Sequence, residues 1–447
     1  MASPIEQLAK SFTLSSFKKA EDLKKRIWFT LFILIIYRLG TYIPLPSINP
    51  AVVSEFTRSH AGGLFGVLDM FSGGAIGRMT VFSLNIMPYI SASIIVQLLT
   101  SMSPQLMALK KEGESGRQKI NQYTRYGTVA LAMAQGYGIA VGLERMMGHS
   151  GCAVLDPGMF FRFTTMTSLT GGTLFIMWLG EQISSRGLGN GSSIIIYSGI
   201  VANLPAALFN TFAMGKQGAL SITALFGLLI MVVAVISFIV FMEKANRKIP
   251  IQYPKRQTMM NMPAQQQGTH LPLKLNNAGV IPPIFASSIL LLPMTIAQFT
   301  TVDPDSILGN IARMFNHGQP LYMISFAAAI LFFAFFYTAI MFNPKETADN
   351  LKKSGSYIPG IRPGDATANY IEVLLTRLTF IGGLYLCFIC ILPELILSQV
   401  SLPFYFGGTS LLIVVNVSID TVSQFQSHMI AHQYEGLFKR GKSKGMF

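Results

Sequence analysis

Residues 79 to 109 carry no charged side chain, and further uncharged runs cover 126 to 143, 163 to 180, 187 to 215, 217 to 242, 275 to 302, 314 to 344, 378 to 393 and 395 to 419. A first apolar stretch runs from Ile27 to Tyr37 and continues past Arg38. About 20 apolar residues rising 1.5 Å each cross a hydrocarbon core roughly 30 Å thick, so each run is long enough, or nearly so, for one helix through a membrane. Ten spans are predicted. Composition agrees: 51% of residues are hydrophobic and 12% charged, where a soluble domain has about a quarter charged.

Orientation follows from the basic residues, because Lys and Arg are retained on the cytoplasmic side during insertion. Alternate loops hold most of the 34 Lys and Arg, in clusters at Lys18 to Arg26, Lys110 to Arg125, Lys244 to Lys274, Lys345 to Arg362 and Lys439 to Lys444. Both termini are therefore expected in the cytoplasm. The net charge of +14 then gathers on one face, where anionic lipid would attract it and an acidic or RNA-containing partner could dock. Mostly polar residues, among them Glu6, Glu21 and Asp22, precede the first apolar run, which predicts no cleavable leader. The segment with Leu8, Phe12, Leu23 and Ile27 reads as a basic interfacial helix.

Two cytoplasmic loops are long, 243 to 276 and 344 to 370, and both combine Pro or Gly with basic residues. Either they form a docking surface or they are solvated linkers. Residues 62 to 77, GGLFGVLDMFSGGAIG, hold an apolar core too short to cross, with Asp69 inside it and glycine pairs on both sides. A short helix on flexible hinges is predicted, either as a stopper inside a funnel or as an external loop.

Several motif matches fail on physical grounds. GLFKRGKS at 436 to 443 fits a phosphate loop by letter but lacks a preceding strand and a following helix. Cys387 and Cys390 lie in an apolar run without the other ligands of a metal site, and Cys152 stands alone in an external loop. His428 and His432 share a helix face, but Met429 stands where a zinc protease needs its glutamate. No catalytic residues, cofactor or metal site are predicted. The run centres also lack the carboxylates and His used for ion coupling; Glu181, Arg377 and Glu394 sit at run boundaries.

Two centres stand out, Asn85 to Ile95 and Gly279 to Ile289, each with Pro followed by small residues, a pattern that permits kinking and close, separable helix contact. Ile86 and Ile90 share one helix face. They line either an apolar constriction or an ordinary packed surface.

At these residues the sequence resembles the SecY family, the central subunit of the bacterial protein-conducting channel. The similarity covers roughly residues 12 to 436 through IMPYISASII at 86 to 95, EGESGR at 112 to 117, QYTRYGT at 122 to 128, MWLGEQI at 177 to 183, THLPLK at 269 to 274, FNPKETADNLKKSG at 342 to 355, PGIRPG at 359 to 364 and PFYFGGTSLLIVV at 403 to 415. The resemblance implies an all-α polytopic fold of ten transmembrane helices in two pseudo-symmetric five-helix halves, 26 to 215 and 216 to 425, between a basic N-terminal segment (1 to 25) and a C-terminal tail (426 to 447). The halves enclose an hourglass pore, and a re-entrant plug helix falls at about 64 to 74, with Leu64, Phe65, Leu68, Met70 and Phe71 as its apolar residues. The implied pore ring is Ile86, Ile90, Ser192, Ile196, Ile284 and Ile413; the implied lateral gate, between the second and seventh spans, includes Ser91, Asn276 and Ser287. Lys255, Arg256, Lys352, Lys353 and Arg362 would meet a motor ATPase or a ribosome.

Three positions depart from the family pattern. Ser192 replaces an aliphatic residue, Asn85 stands where Gly is usual, and Pro283 where Ala is common. The implied function is passage of unfolded secretory polypeptides across the bacterial inner membrane and sideways release of hydrophobic segments into lipid. Its implied partners are the small membrane subunits SecE and SecG, the SecA motor, ribosomes, signal peptides, nascent chains and anionic lipids, without recognition of nucleic-acid sequence. The competing expectation is a secondary transporter for a neutral or amphipathic small molecule, which would also use broken helices.

Overall fold

The structure is a computed structural model, and it describes residues 21–49, 52–55, 69–145, 147–148, 151–216, 222–252, 269–299, 319–397 and 407–444. Leu8, Phe12, Leu64, Phe65, Leu68, Lys255 and Arg256 lie outside the described residues.

The first half comprises α1 (Glu21–Gly40), α2 (Met87–Met102), α3 (Pro104–Lys111), α4 (Glu114–Arg145), α5 (Met159–Arg186) and α6 (Gly191–Lys216). The second comprises α7 (Ile222–Lys244), α8 (Ile281–Phe299), α9 (Pro320–Met341), α10 (Pro344–Lys353), α11 (Asp365–Leu397) and α12 (Gly408–Lys444). Three helical stretches, Gly191–Phe209, Pro320–Lys353 and Asp365–Pro393, are by length and composition able to cross a membrane alone, and the bent pair α2 and α3 would make a fourth, among the described residues. Large apolar side chains point outward from the helices, Trp28 at 71% and Phe241 at 70% exposure among them, as expected where the surrounding solvent is lipid.

The uncharged run at 79 to 109 is not one helix. It contains turns up to Ile86, then α2, then a 99° bend into α3. Proline sets both breaks. Pro88 and Pro104 occupy the first turns of α2 and α3, where a missing N–H costs nothing, and Ser103 before Pro104 is held extended at φ −96° and ψ 120°. Pro282 and Pro283 likewise fall in the first turn of α8, so at both centres the expected kink becomes a helix start. Prolines also occur inside helices, at Pro205 in α6, Pro293 in α8 and Pro393 in α11.

Two small antiparallel sheets qualify the all-α expectation. β1 (Met147–Gly148) pairs with β2 (Gly151–Cys152), and in the first long loop β3 (Asn246–Ile251) pairs with β4 (Thr269–Lys274), Arg247 opposite Leu273 and Ile249 opposite Leu271. Ile249 and Leu273 are buried, and they share an apolar cluster with Ile358 of the second long loop and with Ile371, Leu375 and Leu378 of α11. Gln252 and Tyr357 exchange backbone hydrogen bonds at 2.9 and 3.0 Å, so the two long loops are stitched into one body.

Two apolar centres form, each with residues of both halves, the second taking Ile94 from α2. One gathers α1, α2, α5, α6 and α12 around Tyr37, Ile86, Ile176 and Ile195. The other gathers α7, α8, α9, α11 and α12 around Ile239, Ile330 and Leu386, with buried Cys387 and Cys390 as free thiols within it. Ile90 and Val280 pack against both. On one side α8 lies against α2 and α4; on the other α6 meets α7 and α12. Close approach of α5 and α6 needs Gly191, where an added Cβ would run into the Gly180 carbonyl. Gly171, by contrast, has open space beside it. Gly191→Leu is therefore expected to cost about 1–3 kcal/mol through forced separation of these helices, seen as a lower thermal midpoint of the purified protein, while Gly171→Ala should leave it unchanged.

Candidate functional site

The isoleucines that the family resemblance assigns to the ring come from four separated helices and meet in one cluster. Ile86, Ile196 and Ile413 are buried at 1%, 5% and 2% exposure in one cluster, and Ile90 and Ile284 pack against it. Ile86 precedes the first turn of α2, and its carbonyl accepts the Ile90 N–H at 3.1 Å, which stacks the two side chains along the start of that helix. Ile196 ends the run Ile194-Ile195-Ile196 in α6; Ile284 sits in the first turns of α8 and Ile413 in those of α12. Branched at Cβ, isoleucine has few side-chain rotamers, so the cluster is stiff and makes no polar demand.

Ser192 has a different setting. Its hydroxyl donates to Asn190 Oδ1 at 2.8 Å, and with Ile86, Tyr89, Thr124, Arg125, Glu181 and Gln182 it lines a cavity of about 530 Å³. Arg125 of α4 and Glu181 of α5 form a two-pronged ion pair across that cavity wall at 3.0 and 2.7 Å. Neither residue is buried, and such pairs contribute about 0.2–1 kcal/mol.

Met70 and Phe71 belong to the isoleucine cluster itself. Residues 69–72 are helical, and the carbonyls from Phe71 to Gly74 each accept a side-chain donor. Asn85 Nδ2 donates to Phe71 O at 2.7 Å, the Tyr37 hydroxyl to Ser72 O at 3.4 Å, Arg38 to Gly73 O at 2.9 Å, and Arg78 to Gly73 O at 3.2 Å and Gly74 O at 2.9 Å. Both guanidiniums also lie over the Tyr42 ring. Asp69 accepts the Gly77 N–H at 2.6 Å and closes the turn that follows. Nothing in the apolar pattern signalled this cradle; the glycine pair and the two arginines were its visible traces.

The three gate positions are not joined. Ser91 is buried in α2, and Ser287 donates to its own helix at Ile284 O, 2.9 Å. Asn276 faces neither: its amide donates to Glu243 at 2.7 Å and to Gly279 O at 3.1 Å, and its oxygen accepts the Gly279 N–H at 3.1 Å. Burial pushes the Glu243 carboxyl above its ordinary value, opposed by the Asn276 amide and the Lys274 charge. This network ties the end of α7 to the entrance of α8, and sequence inspection did not connect Glu243 with Asn276. Lys352 and Lys353 close the last turn of α10, exposed, and Arg362 is exposed on the same second loop, its carbonyl accepting the Thr367 hydroxyl.

An apolar cluster drawn from both helical halves, with the helical turn at 69–72 packed into it and a polar cavity beside it, belongs to a polytopic helical membrane protein. Its fold is that of solved protein-conducting channels. One described as the structure of a protein conducting channel matches with a TM-score of 0.65 and 16% identity over 92% of this chain and 93% of that one. Sec61 in the canine ribosome-channel complex from the endoplasmic reticulum matches with a TM-score of 0.62 and 15% identity over 92% and 93%. Residues 80–422 match the family model described as SecY. Over 425 residues the chain is 52% identical to the protein translocase subunit SecY of Escherichia coli strain K12, covering 95% of this chain and 96% of that protein. The chain belongs to the SecY family.

Exchanging one charge of the cavity wall, Arg125→Glu, should lower stability by about 1 kcal/mol or less and Arg125→Glu with Glu181→Arg should restore it, read as paired thermal midpoints at low salt and lost at high salt.

Proposed function

We propose that this chain is the conducting subunit of a protein translocase: unfolded polypeptides cross at the isoleucine knot, and hydrophobic segments leave it sideways into lipid. The observation that carries the reading is the convergence of Ile86, Ile90, Ile196, Ile284 and Ile413 from helices of both halves, with Met70 and Phe71 packed against them. An unfolded chain cannot enter hydrocarbon, where every unsatisfied backbone group costs several kcal/mol, so it needs an aqueous path. At the narrowest point branched aliphatic side chains touch any passing residue, bind none tightly and exclude ions. Ser192 is the sixth ring position and the weakest part of the seal.

In this reading the ten apolar runs are ten spans in two pseudo-symmetric halves, 26 to 215 and 216 to 425, with residues 64 to 74 as the plug and both termini in the cytoplasm. The seam of α2 and α8 is the lateral gate. Segments rich in Leu and Ile gain about 0.3 to 0.6 kcal/mol per residue by passing through it, whereas each Asp, Lys or Arg costs about 2.5 to 3.5. The joined cytoplasmic loops, with Lys255, Arg256, Lys352, Lys353 and Arg362, are the platform for a SecA-type motor or the ribosome, and SecE and SecG are the accompanying small subunits. The membrane is the bacterial inner membrane.

Photo-crosslinkers placed at Ile86 and Ile284 should capture a stalled secretory chain; capture of lipid alone would remove the conduit from these residues. Ser192→Ile should lower the resting ion leak of reconstituted proteoliposomes, and an unchanged leak would take Ser192 out of the ring.

A further inference from the structure

We infer that Asn85 is a positioning residue that fastens the short helix at 69–72 to the start of α2, so that the waist cannot open without releasing it; this rests on the conduit reading above. The backbone carries the first sign. Asn85 has φ +49°, in the left-handed region that favours glycine, and yet it keeps a side chain that is 2% exposed. Strain of this kind persists where the side chain is held by its surroundings.

That side chain reaches Phe71 O at 2.7 Å, fourteen residues back along the chain. The carbonyls after it are held by Tyr37 and Arg38 of α1 and by Arg78. Among the described residues Asn85 is the one donor to this turn that adjoins Ile86, the most buried isoleucine of the waist. Any shift of the α2 entrance that carries Ile86 away from Ile196 and Ile413 therefore stretches the Asn85 bond as well. On its far side the turn rests directly on α6 at Gly199, where an added Cβ would meet Phe71 O at 2.5 Å. The turn is thus pressed against one helix and tied by a hydrogen bond to the other. In a water-poor setting no solvent replaces that bond when it breaks.

Asn85→Gly isolates the effect, since it relaxes the backbone and removes only the amide. In the full complex in nanodiscs, hydrogen exchange at the Gly73 and Gly74 amides, which bond to Met70 O and Asp69 O, should speed up roughly two- to tenfold, the range one lost hydrogen bond allows. The resting ion leak of proteoliposomes should rise by a similar factor, with the thermal midpoint unmoved. Asn85→Ala, which keeps a Cβ at the strained φ, should reproduce both changes and also lower the midpoint. Unchanged exchange at 73–74 would overturn the fastening, and faster exchange with an unchanged leak would overturn its coupling to the waist. A general rise in exchange across all helices would reduce Asn85 to a structural role. Crosslinking that fails in the wild-type chain would remove the conduit reading, while the exchange measurement would still decide the hydrogen bond.

Discussion

A helix in hydrocarbon must satisfy its own backbone, and a path for another chain must not offer that chain anything to bind. These two demands leave side-chain shape as the only material for a seal. On the reading proposed above, the isoleucine cluster meets them: Ile86, Ile196 and Ile413 are almost fully buried in one cluster, and its contacts are dispersion contacts that an aliphatic or aromatic passenger could replace. Polar groups are displaced to the two sides. One side has the cavity with Arg125 and Glu181, the other the carbonyl cradle of Tyr37, Arg38, Arg78 and Asn85. Ile86 borders the cavity, and Tyr37 belongs to both the cluster and the cradle.

The same division of labour governs how the halves meet. Ile90 of α2 and Val280, just before α8, pack against both apolar centres through contacts that have no preferred direction. The entrance of α8 is treated otherwise. Asn276, Glu243 and Gly279 bind it to the end of α7 through three hydrogen bonds, one of them to a buried carboxyl. A directional network fixes register where apolar packing cannot. α8 is thereby anchored at its polar end inside its own half and apolar where it touches the other.

The parts written in hydrophobicity were legible from the sequence: the apolar runs, and Ile86 and Ile90 on one helix face; Ile196, Ile284 and Ile413 were pointed to only by the family resemblance. Proline positions were visible but misread, because Pro88 and Pro282 mark a kink in a continuing helix and a start in a new one with the same letters. The β3 and β4 hairpin was missed since Asn246–Ile251 and Thr269–Lys274 are separated in sequence and each carries a proline, a poor advertisement for a strand. The Gln252 and Tyr357 link and the cradle were illegible in principle. Both depend on backbone carbonyls, which every residue has, so no letter announces them. Asn85 is the exception, for a residue other than glycine at a left-handed position calls for a partner.

Ser192 and Asn85 depart from the family pattern on either flank of Ile86, and on the reading proposed above they act in opposite senses. An aliphatic side chain buried at position 192 would contribute about 1.5–3 kcal/mol to closure, and serine gives that up while opening the waist toward a polar cavity. The Asn85 bond to Phe71 O returns about 0.5–1.5 kcal/mol, but it does so through the short helix rather than the ring. The offset is partial in size and different in kind. Apolar closure has no preferred direction, whereas a hydrogen bond weakens with angle as well as distance, steeply once it bends below about 120°. A waist that relies more on the second should stay shut under small displacements of α2 and open more abruptly once its entrance has moved.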